Sequence, residues 1–496
     1  MVLYFLSNAD GAGVKQMTRI AFDALKLWIQ KHPDRAAVLF LVLFSCFFVF
    51  VNLGSAALID WDESIYAGVA KEILEKGDWL TLHWNGEVWF EKPPLYFWLT
   101  AFTYSISGVN EFAARFWSAV LGVVGIVAVY FFGKKMFGRL SGFAAALILA
   151  STPHWILQSR NGTLDIMAAT FITLTLYSFW RARAESKFWK FCGIFLGLTF
   201  MTKSAIAIIP LLVMLIFAAL EIWWSKSFQK YPLSGVLSFI LYSSLIVLPW
   251  HFAMYLIHGR GFVDEYFFYH ILSRTKGIEG HDQPWFWYFI VIQHWARYWY
   301  LAFLAGIYLL AGFLVRDGVK KHLKGFFLFS WFLWGLIIFS SSRSKIEWYI
   351  VPIYPAMALL IGSFVPSVLK VLGSRKRWAL LLLVLFCFLT LWHSSYLWNP
   401  GDFNRNVAEV AKKARQFLSP NDELLVANLA PGPPIFYSGC KVKTIGFWGL
   451  SKKAEDGERM FVLSPAELLQ NLRNDGVAEG FELFAQSGGV ALYGRK

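Results

Sequence analysis

The sequence predicts a polytopic α-helical membrane protein with about eleven or more spans and a small α/β domain outside the membrane at its C-terminus. Its 496 residues are 57% hydrophobic and 16% charged, whereas a soluble protein has about 25% charged residues. Apolar runs of membrane length recur between residues 36 and 397. Residues 399–496 instead have ordinary charge, Gly and Pro contents and contain no such run.

The distribution of basic residues predicts which side of the membrane each loop lies on. A net charge of +14 could indicate nucleic acid binding, but Lys and Arg cluster in short loops between apolar runs. This is the positive-inside pattern of membrane proteins, so we expect no nucleic acid partner. Residues 1–36 are predicted to be a cytoplasmic segment without a cleavable signal, and the first span is Ala36 to Leu58. The four cysteines are scattered and show neither a disulfide framework nor zinc spacing.

Segment 95–108 is apolar but short, and the loop charges decide its placement. If it crossed the membrane, every later loop would invert and the positive-inside pattern would fail in five loops. We therefore expect it to be re-entrant or interfacial, which leaves an external C-terminus. The remaining predicted spans are 112–133, 140–155, 163–181, 188–201, 204–224, 233–257, 285–315, 325–341, 346–367 and 378–397.

The first external loop, residues 58–94, is unusually rich in acids. Its eight carboxylates are Asp60, Asp62, Glu63, Glu72, Glu75, Asp78, Glu87 and Glu91. Residues 62–76 are predicted to form an amphipathic helix on the membrane surface, with Lys71, Glu72, Glu75 and Lys76 on its polar face. Asp60 and Glu63 have the spacing of a capping box at its start.

Asp62 is the first candidate for catalysis. A carboxylate near a helix N-terminus is stabilised by the helix dipole, and it suits a general base or an electrostatic stabiliser. Helix capping is the alternative. Asp165 lies at the edge of an apolar run, where ionisable groups are costly and often functional. An ion pair with Arg160 is the structural alternative for Asp165.

Two further segments carry candidate phosphate or metal ligands. Glu91 and Lys92 precede two prolines that fix the backbone, so Lys92 could hold a phosphate and Glu91 could orient it or bind a metal. A rigid turn with an interfacial lysine is the alternative. His270 and Arg274 share a face if their segment is helical. Arginine favours phosphate, and His270 could complete a metal site with Glu91, although no HExxH-like spacing supports one.

Residues 399–496 are predicted to form the external α/β domain. Helices are expected at Phe403–Leu418 and Pro465–Arg473, and strands at Glu423–Asn428 and Lys441–Phe447. Phe481 to Tyr493 is predicted to be a pair of strands broken at Gly488-Gly489. Residues 37–398 then form the transmembrane domain that carries loop 58–94.

Several ordered motifs together resemble a known family, the GT-C membrane glycosyltransferases. The similarity extends over roughly residues 37–397, and the branch it resembles most is the bacterial lipid A aminoarabinose transferases, distantly joined to the protein O-mannosyltransferases. The motifs are Asp60-Trp61-Asp62-Glu63-Ser64-Ile65-Tyr66, Gly77-Asp78-Trp79-Leu80, Asn85-Gly86, Phe90-Glu91-Lys92-Pro93-Pro94-Leu95, Asn110-Glu111-Phe112-Ala113-Ala114-Arg115 and Lys345-Ile346-Glu347-Trp348-Tyr349. Glu347 departs from the family pattern, in which a proline is frequent.

The resemblance implies roles for individual residues. Asp62 matches the catalytic aspartate of the first loop, and Asp165 matches a second acid. The implied substrate-binding residues are Lys92, Arg274 and Tyr349 around the carrier phosphate, with Tyr66 and Glu63 from the first loop. Glu91 and His270 match a possible divalent-metal site of some members, and no organic cofactor is expected.

The implied activity is an inverting hexosyl or pentosyl transfer from a polyprenyl-phosphate carrier to an acceptor. The expected acceptor is lipid A or a related envelope glycolipid on the periplasmic face of the bacterial inner membrane, and the enzyme is expected to be a monomer among membrane lipids. A protein acceptor, as in the O-mannosyltransferases, and a transporter of lipid-linked sugars remain alternatives. A transporter would place ionisable groups near the midplane and show repeated halves, and neither feature is evident here. A non-enzymatic scaffold leaves the acidic loop unexplained.

Overall fold

A computed structural model describes residues 11–272, 282–392, 402–419, 422–455, 459–474 and 480–495. Within these residues, the chain up to residue 392 is helical apart from one short hairpin, and a sheet with flanking helices follows. This arrangement confirms the predicted fold class. The helices of the first part are α1 (Gly11–Lys31), α2 (Pro33–Phe50), α3 (Asp62–Lys76), α4 (Leu95–Ser107), α5 (Glu111–Phe137), α6 (Arg139–Ala150), α7 (Pro153–Arg160), α8 (Asp165–Ala182), α9 (Phe188–Thr202), α10 (Ile208–Ser225), α11 (Leu233–Val263), α12 (Trp287–Ala296), α13 (Tyr298–Asp317), α14 (Leu323–Ser341), α15 (Tyr354–Val371) and α16 (Lys376–Trp392).

Each predicted span contains one or two of these helices. In the described part of the chain, seven helical stretches are long and apolar enough to cross a membrane, or eight if the bent pair α6–α7 counts as one span. That pair is bent by 61°. Helix α4 has 13 residues and is therefore about 20 Å long, too short to cross the hydrocarbon core. Its length agrees with the expectation that segment 95–108 does not span.

Glycine allows close packing between the helices that surround the site. A Cβ atom on Gly133 of α5 would lie 2.8 Å from the Cα atom of Gly142 of α6, so only a residue without a side chain fits there. Helix α8 packs against both α5 and α9, and its first residues are almost completely buried. The start of α8 is therefore held rigidly inside the bundle.

The acid-rich loop contains helix α3, which has the predicted bounds of residues 62–76. Its N-cap is Trp61, and no side chain caps it, so the predicted capping box is wrong. Gly77 ends the helix in the left-handed conformation with φ 68°. A hairpin of β1 (His83–Trp84) and β2 (Glu87–Val88) follows. Its turn residues, Asn85 and Gly86, both have positive φ, as a tight hairpin turn requires.

The predicted polar face of α3 is only partly exposed, because Glu75 and Lys76 are exposed but Lys71 and Glu72 are buried. Lys71 and Glu72 are only 8% and 9% exposed. The Lys71 ammonium donates to the backbone carbonyl of Phe436 at 2.9 Å, because the C-terminal domain covers this face. The Asn85 side chain exchanges two hydrogen bonds with the backbone of Val442. Helix α3 therefore lies between α4 and the C-terminal domain, and the expectation of an exposed polar face is wrong for Lys71 and Glu72.

The C-terminal domain is a five-stranded mixed sheet. Its strands are β3 (Glu423–Val426), β4 (Lys441–Thr444), β5 (Met460–Pro465), β6 (Glu482–Ser487) and β7 (Val490–Arg495), and its helices are α17 (Arg405–Ala414), α18 (Gly432–Ser438), α19 (Phe447–Glu455) and α20 (Ala466–Asn474). The strand order is β4-β3-β5-β7-β6, parallel from β4 to β5 and antiparallel from β5 to β6. The central strand β5 and helices α18 and α19 were not predicted, because a short apolar run fits a strand or a helix equally well.

Tyr437 joins this domain to the first loop, and its removal gives a first prediction. The Tyr437 hydroxyl accepts from the Leu58 amide at 2.8 Å and donates to the Glu111 carboxylate at 3.0 Å. Tyr437→Phe would leave a buried amide unpaired, so we expect the free energy of unfolding to fall by about 1–3 kcal/mol. Thermal unfolding in detergent measures this change. Tyr308→Phe, at a side chain that is 79% exposed, is the control and should leave the Tm unchanged.

Candidate active site

A cleft of about 890 Å³, open to solvent, lies where several helix ends meet. It brings together the residues before α4, the α9–α10 connection, the turn after α11 and the α14–α15 connection. Its lining residues are Glu91, Lys92, Pro93, Lys203, Ser204, Ala205, Ile206, Tyr266, His270, Ile338, Phe339, Ser342, Ser344 and Tyr349. Four predicted site residues, Glu91, Lys92, His270 and Tyr349, thus share one cleft although they are distant in sequence.

Lys203 is the central cation of this cleft. Its Nζ lies 2.7 Å from Asp165 Oδ1 and 3.8 Å from the centroid of the Tyr349 ring. The Lys203 and Asp165 side chains are only 11% and 2% exposed. The alternative pairing of Asp165 with Arg160 is wrong, because Arg160 donates to three backbone carbonyls at the end of α2. Asp165 instead pairs with Lys203, and Lys203 lines the cleft.

Sequence reasoning did not single out Lys203, although a signal was available. Lys203 lies between two apolar runs on the side that the positive-inside pattern predicts to be external. A lysine on that side, in a connection too short to be solvated, contradicts the pattern and indicates a function or a buried partner. The departure of Lys203 from the positive-inside pattern could therefore have identified it as a candidate site residue.

Asp62 borders the cleft. Its Oδ2 atom accepts a hydrogen bond from the Trp348 indole at 3.2 Å, and Trp348 immediately precedes the cleft residue Tyr349. The charges of Asp62 and Lys92 both act on Asp165. The two predicted catalytic acids therefore lie in one electrostatic neighbourhood, at the start of α3 and at the start of α8.

Tyr66 lies behind these acids. It is 3% exposed and packs edge-on against Trp89, Tyr96 and Phe97. Burial, and after it the nearby Asp62 charge, raise the pKa of the Tyr66 phenol well above its ordinary value. Tyr66 therefore stays neutral, and its direct contact with a substrate remains a prediction.

Glu63 does not face the cleft. It is 2% exposed, and its two oxygens accept from Arg115 at 2.8 and 2.9 Å. The amides of Ile59 and Gly162 each donate to it at 2.7 Å. These bonds occupy both oxygens, so the expected substrate contact of Glu63 is corrected to a positioning role. The pair connects the start of α3, which carries Asp62, to α5 and to the segment before α8.

The Glu63–Arg115 pair predicts a pH-dependent stability. Burial opposes ionisation of Glu63, but Arg115 and the two amides outweigh it and lower its pKa. A lowered folded-state pKa gives stability that is present above the unfolded pKa of about 4.3 and lost as the pH falls through the folded value. Glu63→Gln leaves the Arg115 charge buried without its partner, which costs about 3 kcal/mol or more at pH 7.

We expect the difference in unfolding free energy between the unsubstituted protein and Glu63→Gln to be largest at neutral pH and to narrow as the pH falls below 4. Chemical unfolding at a series of pH values measures it. Glu87→Gln, at an exposed acid of the same loop, serves as the control. A difference that is constant with pH would argue against the ionised pair.

The predicted metal ligands Glu91 and His270 line the same cleft, and His270 Nε2 lies 3.7 Å from Glu265 Oε1. In the residues that the structure describes, no group of three His, Cys, Asp or Glu side chains could hold a metal ion. Two protein ligands do not make a closed metal site, so the metal remains a prediction. Arg274 lies outside the described residues.

Comparison with known proteins gives relatives for most of the chain. Residues 91–250 match the family model described as dolichyl-phosphate-mannose-protein mannosyltransferase. An uncharacterised protein of Aquifex aeolicus is 30% identical over 324 residues, which are 64% of this chain and 62% of that protein. The undecaprenyl phosphate-alpha-4-amino-4-deoxy-L-arabinose arabinosyl transferase 2 of Pseudomonas fluorescens is 30% identical over 66% of this chain and 56% of that protein. The chain thus spans less than two thirds of these curated relatives.

Solved structures share the fold. ArnT from Cupriavidus metallidurans, bound to undecaprenyl phosphate, superposes with a TM-score of 0.74 at 18% identity, over 92% of this chain and 97% of that one. The archaeal oligosaccharyltransferase AglB from Archaeoglobus fulgidus gives a TM-score of 0.59 at 14% identity, over 89% and 70%. The chain therefore has the fold of the GT-C membrane glycosyltransferases. Within that class, the resemblance to the aminoarabinose transferases, and more distantly to the protein O-mannosyltransferases, is confirmed.

Proposed function

We propose that this protein is an inverting glycosyltransferase that moves a sugar from a polyprenyl-phosphate carrier to lipid A or a related envelope glycolipid. The reaction would take place on the periplasmic face of the bacterial inner membrane. The observation that carries the proposal is a largely apolar cleft that Lys92 and Lys203 line. The carboxylates of Asp165 and Asp62 lie close to these cations. Such a lining suits a phosphate on a hydrocarbon tail, with a reacting sugar beside it.

The donor is proposed to bind with its phosphate near Lys92, Lys203 and Tyr349. Its hydrocarbon tail would leave along the apolar wall of Ile206, Ile338 and Phe339. During transfer, the bond between the anomeric carbon and the carrier phosphate oxygen breaks, and negative charge develops on that phosphate. Preorganised cations at that position lower the barrier because they stabilise the charge of the leaving group.

The acceptor oxygen would approach the opposite face of the anomeric carbon, which inverts its configuration. Asp62 is proposed to orient the acceptor and, if the acceptor is a hydroxyl, to take its proton. If the acceptor is an already ionised phosphate, the Asp62 carboxylate would instead stabilise positive charge on the sugar. Asp165, tied to Lys203, would fix the position of that lysine beside the leaving group.

A divalent metal near Glu91 and His270 is proposed only as an additional ligand for the carrier phosphate, and no step requires it. Turnover of chelator-treated enzyme with and without added divalent cations tests this point. A protein acceptor is the second candidate, favoured by the family model that matches residues 91–250.

Mass spectrometry of lipid A, envelope glycolipids and glycoproteins from cells with and without the gene tests the proposed function. We expect the loss of one defined sugar mass from lipid A or an envelope glycolipid. Loss of sugar from a protein instead would retain the chemistry and change the acceptor. No change in any glycoconjugate would contradict a transferase and favour a transporter of lipid-linked sugars.

A further inference from the structure

A second large pocket lies at the far ends of helices that begin or end at the cleft. Helix α8 starts at Asp165 beside the cleft and ends just before Arg183 of the second pocket. Helix α14 runs from the pocket residue Lys324 to the edge of the cleft at Ser342. Helices of 18 or 19 residues are about 27–28 Å long, close to the thickness of the hydrocarbon core. The second pocket is therefore at the opposite membrane surface, which the loop charges predict to be cytoplasmic.

The polar side of this pocket is strongly basic. It contains five basic side chains that are charged at neutral pH, namely Arg183, Lys230, Lys320, Lys321 and Lys324. Among the residues that the structure describes, Glu221 is the one carboxylate that lines this pocket. Arg183 donates to the Glu221 carboxylate at 2.7 Å, and Lys230 donates to the same carboxylate at 2.6 Å. The negative charge of Glu221 is therefore already neutralised within the protein. The formal charges of these five cations and one carboxylate sum to +4. Lys320 and Lys321 belong to the part of this charge that is not bonded to Glu221.

The other side of the pocket is apolar, and part of it lies at the protein surface. Leu309, Phe313, Leu360 and Phe364 line this side of an open pocket that is larger than a single inorganic ion needs. Leu309 is 44% exposed, on the side of α13 whose neighbours Leu301 and Tyr308 are also exposed. Surfaces of this kind contact acyl chains in a membrane-embedded helix. The pocket therefore combines an anion-binding rim with a hydrocarbon-binding wall.

We propose that this pocket binds one anionic phospholipid of the cytoplasmic leaflet. The headgroup phosphate would lie over Lys320 and Lys321, and the acyl chains would pack along Leu309, Phe313 and Phe364. Basic pockets between transmembrane helices on the cytoplasmic side attract anionic headgroups, and the apolar wall selects a lipid over free phosphate. This site is separate from the cleft and does not depend on the transfer reaction.

Native mass spectrometry of the purified protein, titrated with phosphatidylglycerol or phosphatidylcholine of identical acyl chains, tests the site. We expect one phosphatidylglycerol to bind with clear preference over phosphatidylcholine. Lys320→Ala with Lys321→Ala should weaken phosphatidylglycerol binding about 30-fold, since each basic residue near an anionic lipid contributes about 1 kcal/mol. Lys187→Ala with Lys190→Ala removes the same charge at the same membrane surface outside the pocket and should change binding little.

A second pair of variants tests the apolar part without changing charge. Ser367→Trp fills the pocket and should abolish stoichiometric lipid binding, whereas Val368→Trp, on the neighbouring exposed residue outside the pocket, should not. Equal binding of the two lipids, or equal losses in the two members of either variant pair, would overturn the proposal. Complete displacement of the lipid by millimolar inorganic phosphate would also overturn it and indicate a simple phosphate site.

Discussion

Asp62→Asn is expected to lower the rate of sugar transfer by about a hundredfold to ten-thousandfold, the range for loss of a positioned acid or base. The amide is nearly isosteric and can still accept the hydrogen bond from Trp348. It carries no negative charge and cannot take a proton, so only the proposed chemical role is removed. Because donor binding is assigned to the lysines, we expect the loss in kcat and little change in the KM of the donor.

The measurement is single-turnover transfer from a polyprenyl-phosphate sugar in liposomes, with thermal unfolding as a check on folding. Asp60→Asn is the matched control. Asp60 lies two residues earlier in the same loop, but it accepts from Asn404 of the C-terminal domain and does not face the cleft. Near-normal turnover of Asp62→Asn, or equal losses in both variants, would contradict a chemical role for Asp62.

Local sequence patterns were sufficient for much of the fold. The bounds of α3, the Asn85-Gly86 hairpin turn and most strands of the C-terminal domain follow from residue type and spacing. The apolar runs predicted the spans, and each predicted span contains at least one helix in the structure. These features depend on neighbours in sequence, so a sequence carries their signal directly. Strand β5 was missed because its short buried run has no distinctive period, and the short helices α18 and α19 were missed as well.

Contacts between distant segments could not be read from the same patterns. Asp62 and Glu63 are adjacent acids, yet one borders the cleft and the other is enclosed by Arg115 and two amides. Similarly, Lys71 and Glu72 fit an exposed helix face, yet both are buried. Lys71 donates to Phe436 of the C-terminal domain, more than 300 residues later, and Glu72 accepts from the amide of Gly86 in the hairpin turn. In each case the contact partner determines whether the charged side chain is buried or lies near the cleft. A single sequence does not specify which distant residue that partner is.

The Glu63 contacts also explain how Asp62 keeps its position. A carboxylate that acts on a reacting atom must be held to within a fraction of an ångström. Glu63 ties the first turn of α3 to Arg115 and to Gly162, which lies three residues before Asp165. The two predicted catalytic acids thus share one buried anchor. Loss of that anchor should disturb their geometry as well as the stability of the protein.

Lys203→Met is expected to lower transfer by about a hundredfold to a thousandfold, the range for loss of one preorganised group that stabilises developing charge. Methionine keeps the length and apolar stem of the side chain but removes the cation beside Asp165 and Tyr349. Lys203→Arg keeps the charge and should retain more activity than Lys203→Met. Steady-state kinetics with the polyprenyl-phosphate donor measure both kcat and KM, and normal kinetics of Lys203→Met would exclude a role at the site.

The double variant Lys203→Met with Asp165→Asn separates two explanations of that loss. If Lys203 only neutralises buried Asp165, removal of both charges leaves no unpaired carboxylate and should restore much of the activity. If Lys203 stabilises the leaving phosphate, the double variant should stay as slow as Lys203→Met, because the cation is still missing. We expect the second result. Lys203 lines the cleft together with Lys92 and Tyr349, where a carrier phosphate could contact it.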